Sequence, residues 1–309
     1  MKHHTKTILL AISAFSILLL ITLSGSAQTL TIVAWNIESG KSTNNAVGNR
    51  IKEFQGVDVW GMSEVLNDTA LSAVELAAED GENADFKRVL GSTGGADRLG
   101  IVYNANRFSE VRRDNLTDIG SGNQRAPLFA ELRENATGKK FIFMVNHLAR
   151  GDNALRHEQG RKLSAWVQQQ TLPVIAVGDF NFDWRVIGGD GNHDRGYDLM
   201  TAGGFWAWVR PATLVRSQCA ANFDSVLDFV FVNQAARAWN GRTEILVKAG
   251  DCPSDYTNDL ENPDHRPVRA VFNMSGNPAP NRDDILRKIE DLERQLQELK
   301  TTIRSLPDN

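Results

Sequence analysis

Apolar residues in this chain gather into short runs rich in Val, Ile and Phe, most of them closed by Gly, Pro, Asn or Asp. Such runs at LTIVAWNI (30–37), VDVWGMSEV (57–65), LGIVYN (99–104), PLFAELR (127–133), KFIFMVNHL (140–148), VIAVGDFN (174–181), VLDFVFV (226–232) and RAVFN (269–273) predict strands. Helices are predicted over 44–55, 67–79 and 152–170; in the last, Ala154, Leu155, Leu163, Trp166 and Val167 are expected to share a buried side. The run LPVIAVGDFN does not alternate, as a strand with one wet face would, so it is expected to be buried on both faces. This order of elements, without repeats, predicts an α/β sandwich of mixed sheets with helices on its outer faces.

A different period governs the end of the chain. After the linker SGNPAPN (275–281), Ile285, Ile289, Leu292, Leu296, Leu299, Ile303 and Leu306 are spaced 4-3-4-3-4-3, the seam of a coiled coil over 282–306. Asn281 can cap that helix and Pro307 follows its end. A helix docked on its own domain would also carry an apolar stripe, but a broader one, and only Leu286 broadens this one. The expectation is weak homo-oligomerisation through the tail. At the other end, MKHHTK, the apolar stretch Ile8 to Leu23 and the small residues Gly25 and Ala27 read as a Sec-type signal peptide over 1–27. The alternative is an uncleaved anchor. Cleavage would send residues 28–274 and the tail to the periplasm or outside the cell, with no stable membrane span.

Composition is ordinary for a globular chain, 41% hydrophobic and 23% charged. Loss of Lys2 and Lys6 with the signal leaves 32 basic against 38 acidic residues, a charge near −6. No basic stripe announces tight non-specific DNA binding, although an enzyme that meets phosphate through a metal ion needs none. Export also bears on Cys219 and Cys252, which are expected to form one disulfide in an oxidising compartment, two buried thiols being the alternative.

The polar strand endings carry the chemistry. TIVAW finishes in Asn36, VDVWGMS in Glu64, KFIFMV in Asn146 and His147, and LPVIAV in Asp179 and Asn181. Asp228 lies inside VLDFVFV, and Asp264 and His265 precede the last strand. Each alone fits a turn former or a satisfied core polar group; Asn36 could simply cap the turn before Ser39. Together they suit cleavage of a phosphate ester. Carboxylates supply oxygen ligands for Mg²⁺, which polarises a phosphoryl oxygen. A His held by an Asp takes a proton from water, and Asn amides donate to charge developing on phosphorus.

The ordered set WNI, SE, NHL, GDFN, LDFVFV and PDHRPV resembles the endonuclease/exonuclease/phosphatase superfamily with the deoxyribonuclease-I-like fold, across nearly all of Thr29 to Asn273. The resemblance implies a four-layer sandwich of two mixed β-sheets flanked by helices, and divalent-metal hydrolysis of a phosphoester with Mg²⁺ or Mn²⁺. It assigns Glu64 as main metal ligand, assisted by Asn36 and Asp264. Asp179 would orient the attacking water, Asn181 and Arg125 would contact substrate, and His147 would bond the phosphate from the other side. His265 would be the general base, oriented by Asp228. Arg156 and Gln159, in the helix after NHL, are expected to be structural. The carboxylate that partners the histidine equivalent to His147 has its nearest candidate in Asp97. The segment after Glu64, VLNDTAL, has no arginine for a DNA minor groove, which argues against double-stranded DNA as the natural substrate.

These residues point to an exported phosphodiesterase, an endonuclease acting on nucleic acid. A sphingomyelinase-like or inositol-phosphate phosphoesterase is the alternative within enzymes, and a non-catalytic binding module is the alternative outside them.

Overall fold

A parallel strand pair cannot be closed by a tight turn and needs a crossover, usually a helix; this protein has one such pair at the heart of each of two sheets. The structure, a computed structural model, describes residues 29–220, 223–248, 252 and 263–275, with further positions at 292–294 and 296–297. The expected signal peptide lies outside them, as do most of the linker and tail. In chain order the strands are β1 (Thr29–Asn36), β2 (Val59–Val65), β3 (Phe86–Leu90), β4 (Arg98–Asn104), β5 (Phe108–Asn115) and β6 (Leu128–Glu134). They continue with β7 (Lys140–His147), β8 (Val174–Arg185), β9 (Trp206–Trp208), β10 (Ser225–Asn233), β11 (Arg242–Ile245) and β12 (Val268–Asn273). One sheet runs β11-β12-β1-β2-β4-β3 and the other β5-β6-β7-β8-β10-β9. β1 and β2 are parallel, β7 and β8 are parallel, and the remaining pairs are antiparallel.

The crossover from β1 to β2 carries α1 (Asn44–Lys52), and α2 (Asp68–Glu82) follows β2. Thr43 and Asn67 cap these helices by accepting from the N–H groups of Ala46 and Ala70. Val47, Ile51, Leu71, Val74 and Ala78 bury against Val33, Trp35, Trp60 and Met62 on the outer face of the first sheet. On the second sheet the crossover is α3 (Asn153–Val167), capped by Asp152, and α4 (Arg195–Thr201) lies beside it. A short α5 (Gln234–Arg237) follows β10. Helix, sheet, sheet, helix make four layers. The buried side of α3 differs from the expected one: Arg156, Gln159, Gly160, Leu163, Ser164 and Val167 are buried, whereas Ala154 is exposed and Leu155 and Trp166 are half-buried. The polar pair is buried because it ties down the chain after β7, as described below.

Between the sheets Ile32, Ala34, Val59 and Ile101 share one core with Phe143, Val145 and Val177. The sheets come so close beneath the future site that a Cβ on Gly61 would fall 2.6 Å from Val177 Cγ2. Gly178 is as constrained: its φ is +121° and a Cβ there would lie 2.1 Å from the Asn146 carbonyl oxygen. The glycine of GDFN thus lets β8 lie beside β7 just before the polar residues begin.

The eight inner strands match the predicted runs. The four that sequence periodicity did not indicate, β3, β5, β9 and β11, are the four sheet edges. β5 reads FSEVRRDN and is largely exposed, the charged composition by which edge strands resist pairing with other chains.

Cys219 and Cys252 are bonded, as expected, across 33 residues. Replacing both with serine is expected to cost roughly 3 kcal/mol by loss of the loop constraint. Urea unfolding of the oxidised and double-serine proteins measures this, and equal midpoints would show that the bridge constrains nothing.

Candidate active site

Because β1 and β2, and β7 and β8, run parallel, each pair ends at one edge of its sheet, and the two edges coincide. There β1 delivers Asn36, β2 Glu64, β7 Asn146 and His147, and β8 Asp179 and Asn181. The antiparallel neighbours begin at that edge, so β10 contributes Asp228, paired in register with Asp179, while Asp264 and His265 enter just before β12. The predicted site residues from six separate segments therefore converge.

Two irregularities aim them. The β2–β4 register shifts between Met62 and Val65, and Glu64 there adopts a left-handed φ of 56°. The β8–β10 register jumps from Asp228↔Asp179 to Val226↔Trp184, so Phe180 to Asp183 stand opposite Leu227 alone, with Asn181 at φ 52°. Bulges that re-aim side chains, and non-glycine residues with positive φ, both gather at functional sites.

His265 Nδ1 lies 2.7 Å from Asp228 Oδ2, with both side chains buried. That bond leaves Nε2 facing Asp179 Oδ2 at 3.8 Å and Asp264 Oδ1 at 3.9 Å. Burial opposes the charged imidazole, but Asp228, Asp179 and Asp264 outweigh it and raise the His265 pKa to about 10. His265 is also fixed through its backbone, where the Trp35 indole N–H donates to its carbonyl at 2.8 Å. Asp228 is braced by Ser217, whose hydroxyl accepts from the Leu227 and Asp228 N–H groups at 2.8 and 3.2 Å.

Asp179 sits at the centre. His147 Nε2 is 3.5 Å from its Oδ2, and the Asn36 amide donates to the same oxygen at 3.4 Å. Burial pushes the Asp179 carboxyl above its ordinary pKa while the imidazoles of His147 and His265 pull the other way. Its second oxygen accepts from the Asn181 N–H at 3.0 Å, and the Asn181 amide donates to the Leu148 carbonyl at 3.1 Å. Arg156 and Gln159 hold that stretch in turn: Arg156 donates to the Ala149 carbonyl at 2.6 Å, and Gln159 accepts from the Ala149 N–H at 2.9 Å. They serve a structural role, as the sequence suggested.

On the far side His147 Nδ1 lies 3.4 Å from Asp97 Oδ1, a contact too poorly aligned to satisfy either atom. Arg125 meets Asp97 at 3.0 Å. Burial works to raise the Asp97 pKa, but His147 and Arg125 hold it below the usual carboxylate range. Asp97 therefore does stand beside His147. Arg125, expected on the substrate, has its guanidinium engaged by Asp97, and only 12% of its side chain is exposed.

The oxygen-donor set is hard, as Mg²⁺ requires. Glu64 is more open than Asp179, Asp228 or Asp264, and Asn36 donates to its Oε1 at 2.8 Å. The Asn36 oxygen accepts from the Glu38 N–H at 3.2 Å, so Asn36 caps its own turn and steers Glu64 while a second lone pair of that oxygen stays available to a cation. Asp264 is steered by Gln218, which donates to its Oδ2 at 2.7 Å. Among the described residues no three His, Cys, Asp or Glu side chains form a closed metal cage. Three neighbours were not foreseen: Glu38, buried beside the Asp264 N–H, Ser217 and Gln218. Glu38 follows WNI by one residue, and a carboxylate so close to a strand-ending amide was the available signal.

A buried His–Asp pair and a carboxylate cluster thus share one edge of the four-layer sandwich. The chain belongs to the Endonuclease/Exonuclease/phosphatase family, whose model matches residues 33–255. Solved structures with the same fold include an endonuclease/exonuclease/phosphatase family protein from Bacteroides thetaiotaomicron, with a TM-score of 0.60 and 15% identity over 80% of this chain and 98% of that one. The mannosyl-6-phosphatase of the same organism matches with a TM-score of 0.57 and 16% identity over 79% and 99% of the two chains. A humanized D. rerio TDP2 matches with a TM-score of 0.59 and 18% identity over the same shares. No curated protein matches the chain significantly.

Proposed function

We propose that the chain is an exported, Mg²⁺-dependent phosphodiesterase that cleaves nucleic-acid backbones. The observation that carries this reading is the buried His265–Asp228 pair, whose free Nε2 faces Asp179 and Asp264. A divalent cation on Glu64 and Asp264 would polarise a phosphoryl oxygen and supply the positive charge that offsets the carboxylates around His265. The protein's own residues do the rest. Asp179 accepts one hydrogen of a water beside it and His265 Nε2 takes the other proton as the oxygen attacks phosphorus. The phosphorus–oxygen ester bond opposite breaks, and the leaving oxygen takes a proton from solvent. Asn181 and His147 donate to the phosphoryl oxygens, whose charge grows in the transition state.

A binding module would have no use for this set. Leaving Glu38, Glu64, Asp179, Asp228 and Asp264 together is electrostatically costly, and the chemistry explains why the cost is kept. The fold relative D. rerio TDP2, solved with a single strand DNA product, supports a nucleic-acid reading. The fold of the mannosyl-6-phosphatase keeps sugar phosphates as a second reading. The tail adds assembly: the described positions Leu292 and Leu296 are helical and exposed, which supports a seam that takes a second copy of the chain.

Chelation of purified mature protein should abolish hydrolysis of single-stranded nucleic acid, and added Mg²⁺ or Mn²⁺ should restore it; full activity in excess chelator would overturn the metal assignment. His265→Ala should lower kcat by about 10²–10⁴-fold without moving the melting temperature far. Near-normal turnover in that variant would transfer the base role to His147 or Asp179. Light scattering at rising concentration should show mass above the monomer, lost on truncation after Asn281. A chain that stays monomeric at high micromolar concentration would mean that the helix docks on its own domain.

A further inference from the structure

Along β8 the sequence DFNFDW alternates polar and aromatic residues. Phe180, Phe182 and Trp184 join an aromatic layer with Tyr197, Trp208 and Phe229. The other side carries Asp179, Asn181 and Asp183. Asp179 belongs to the catalytic cluster, whereas Asn181 and Asp183 line a separate cavity of about 420 Å³ with Arg150, Asn153, Asn192 and Phe223. The surplus residues opposite Leu227 create this hollow, so it begins where the catalytic cluster ends. A phosphate held by Asn181 and His147 would direct one of its ester substituents into it.

The lining has a mixed character. The Arg150 guanidinium lies over the Phe223 ring, 5.2 Å from its centroid, and among the described residues no carboxylate pairs with it. Asp183 is exposed and held at a left-handed φ of 46°. One of its oxygens accepts from the Ser225 hydroxyl, and among the described residues no cation pairs with it. Asn153 Oδ1 accepts from Arg156 at 2.7 Å, which leaves its amide N–H groups as donors. A bare anion would meet Asp183, and an apolar group would strand these polar atoms. Donors, a carboxylate acceptor and one aromatic ring suit a hydroxyl-bearing ring whose C–H groups lie against Phe223.

We propose that this cavity is the subsite for a hydroxylated sugar ring carried by the scissile phosphate, with Asp183 and Arg150 reading its hydroxyls. The inference rests on the phosphoester hydrolysis proposed above and narrows it. The sugar has two chemical sources, the ribose of RNA and a hexose 6-phosphate.

The test is kcat/KM with Mg²⁺ on two pairs: an RNA oligonucleotide with its all-deoxy counterpart, and mannose 6-phosphate with 2-deoxyglucose 6-phosphate. Bis-nitrophenyl phosphate, which has no sugar, is the reference. The wild type should favour the hydroxylated member of one pair by about 10–100-fold, the value of hydrogen bonds to charged groups. The pair that shows the preference identifies the source. Asp183→Asn and Arg150→Ala should each bring that ratio towards one and lose more on the sugar substrate than on the reference. Arg150→Ala changes an exposed side chain, so it guards against a folding failure at Asp183. Equal rates within both pairs, or losses no larger than on the reference, would overturn the subsite. Hydrolysis of none of the five compounds would instead sink the enzymatic reading. Calorimetric binding of ribose 5-phosphate against 2-deoxyribose 5-phosphate then decides: a tenfold preference for the former upholds the subsite and equal binding overturns it.

Discussion

Negative charge is crowded at one edge of this protein, and most of its architecture answers that crowding. Glu38, Glu64, Asp179, Asp228 and Asp264 surround two buried imidazoles, and Asp179 and Asp228 are themselves almost wholly buried. Carboxylates taken out of water repel one another and pull protons towards themselves. The repulsion is contained because each group is pinned by a specific partner: Glu38 by Lys41, Glu64 by Asn36, Asp264 by Gln218, Asp228 by His265, Asp179 by Asn36 and the Asn181 N–H. None of these partners could be chosen by propensity. They are placed by the sheets.

The sheets can hold such a cluster because the layers beneath it are rigid. Gly61 lets them approach and Gly178 lets β8 lie beside β7, so the ends of four strands meet within hydrogen-bonding reach. Left-handed backbone at Glu64, Asn181 and Asp183 then turns polar side chains outwards from strands otherwise buried on both faces. Strain of this kind persists only where the surroundings over-determine it. Trp35 shows the coupling in one residue: its ring packs on the outer core while its N–H secures the His265 carbonyl.

How much of this was legible in the sequence follows from burial. Inner strands are apolar on both faces and announce themselves, as VIAVGDFN does. Edge strands such as FSEVRRDN carry charge on one side and lose the signal for the reason that they are edges. The site residues were legible as polar interruptions of apolar runs. Ser217 and Gln218 were not, because they lie outside any strand and act through Asp228 and Asp264. Arg125 stood near the site in sequence, but only coordinates reveal that Asp97 takes its guanidinium. Arg156 was read correctly as structural, while the apolar face assigned to its helix held only at Leu163 and Val167. Its burial follows from the carbonyls it must satisfy, and a hydrophobic pattern does not encode those.

The bridge between Cys219 and Cys252 has a meaning beyond stability. Cys219 donates its N–H to the Asp264 carbonyl at 2.7 Å, and the two residues before it are Gln218, on the Asp264 carboxylate, and Ser217, on the Asp228 backbone. The bond therefore anchors the strip that frames Asp228 and Asp264. Without it, hydrogen bonds alone would hold that strip to the two aspartates. The placement of Asp228 and Asp264 is in this way coupled to a covalent bond that lies outside every strand.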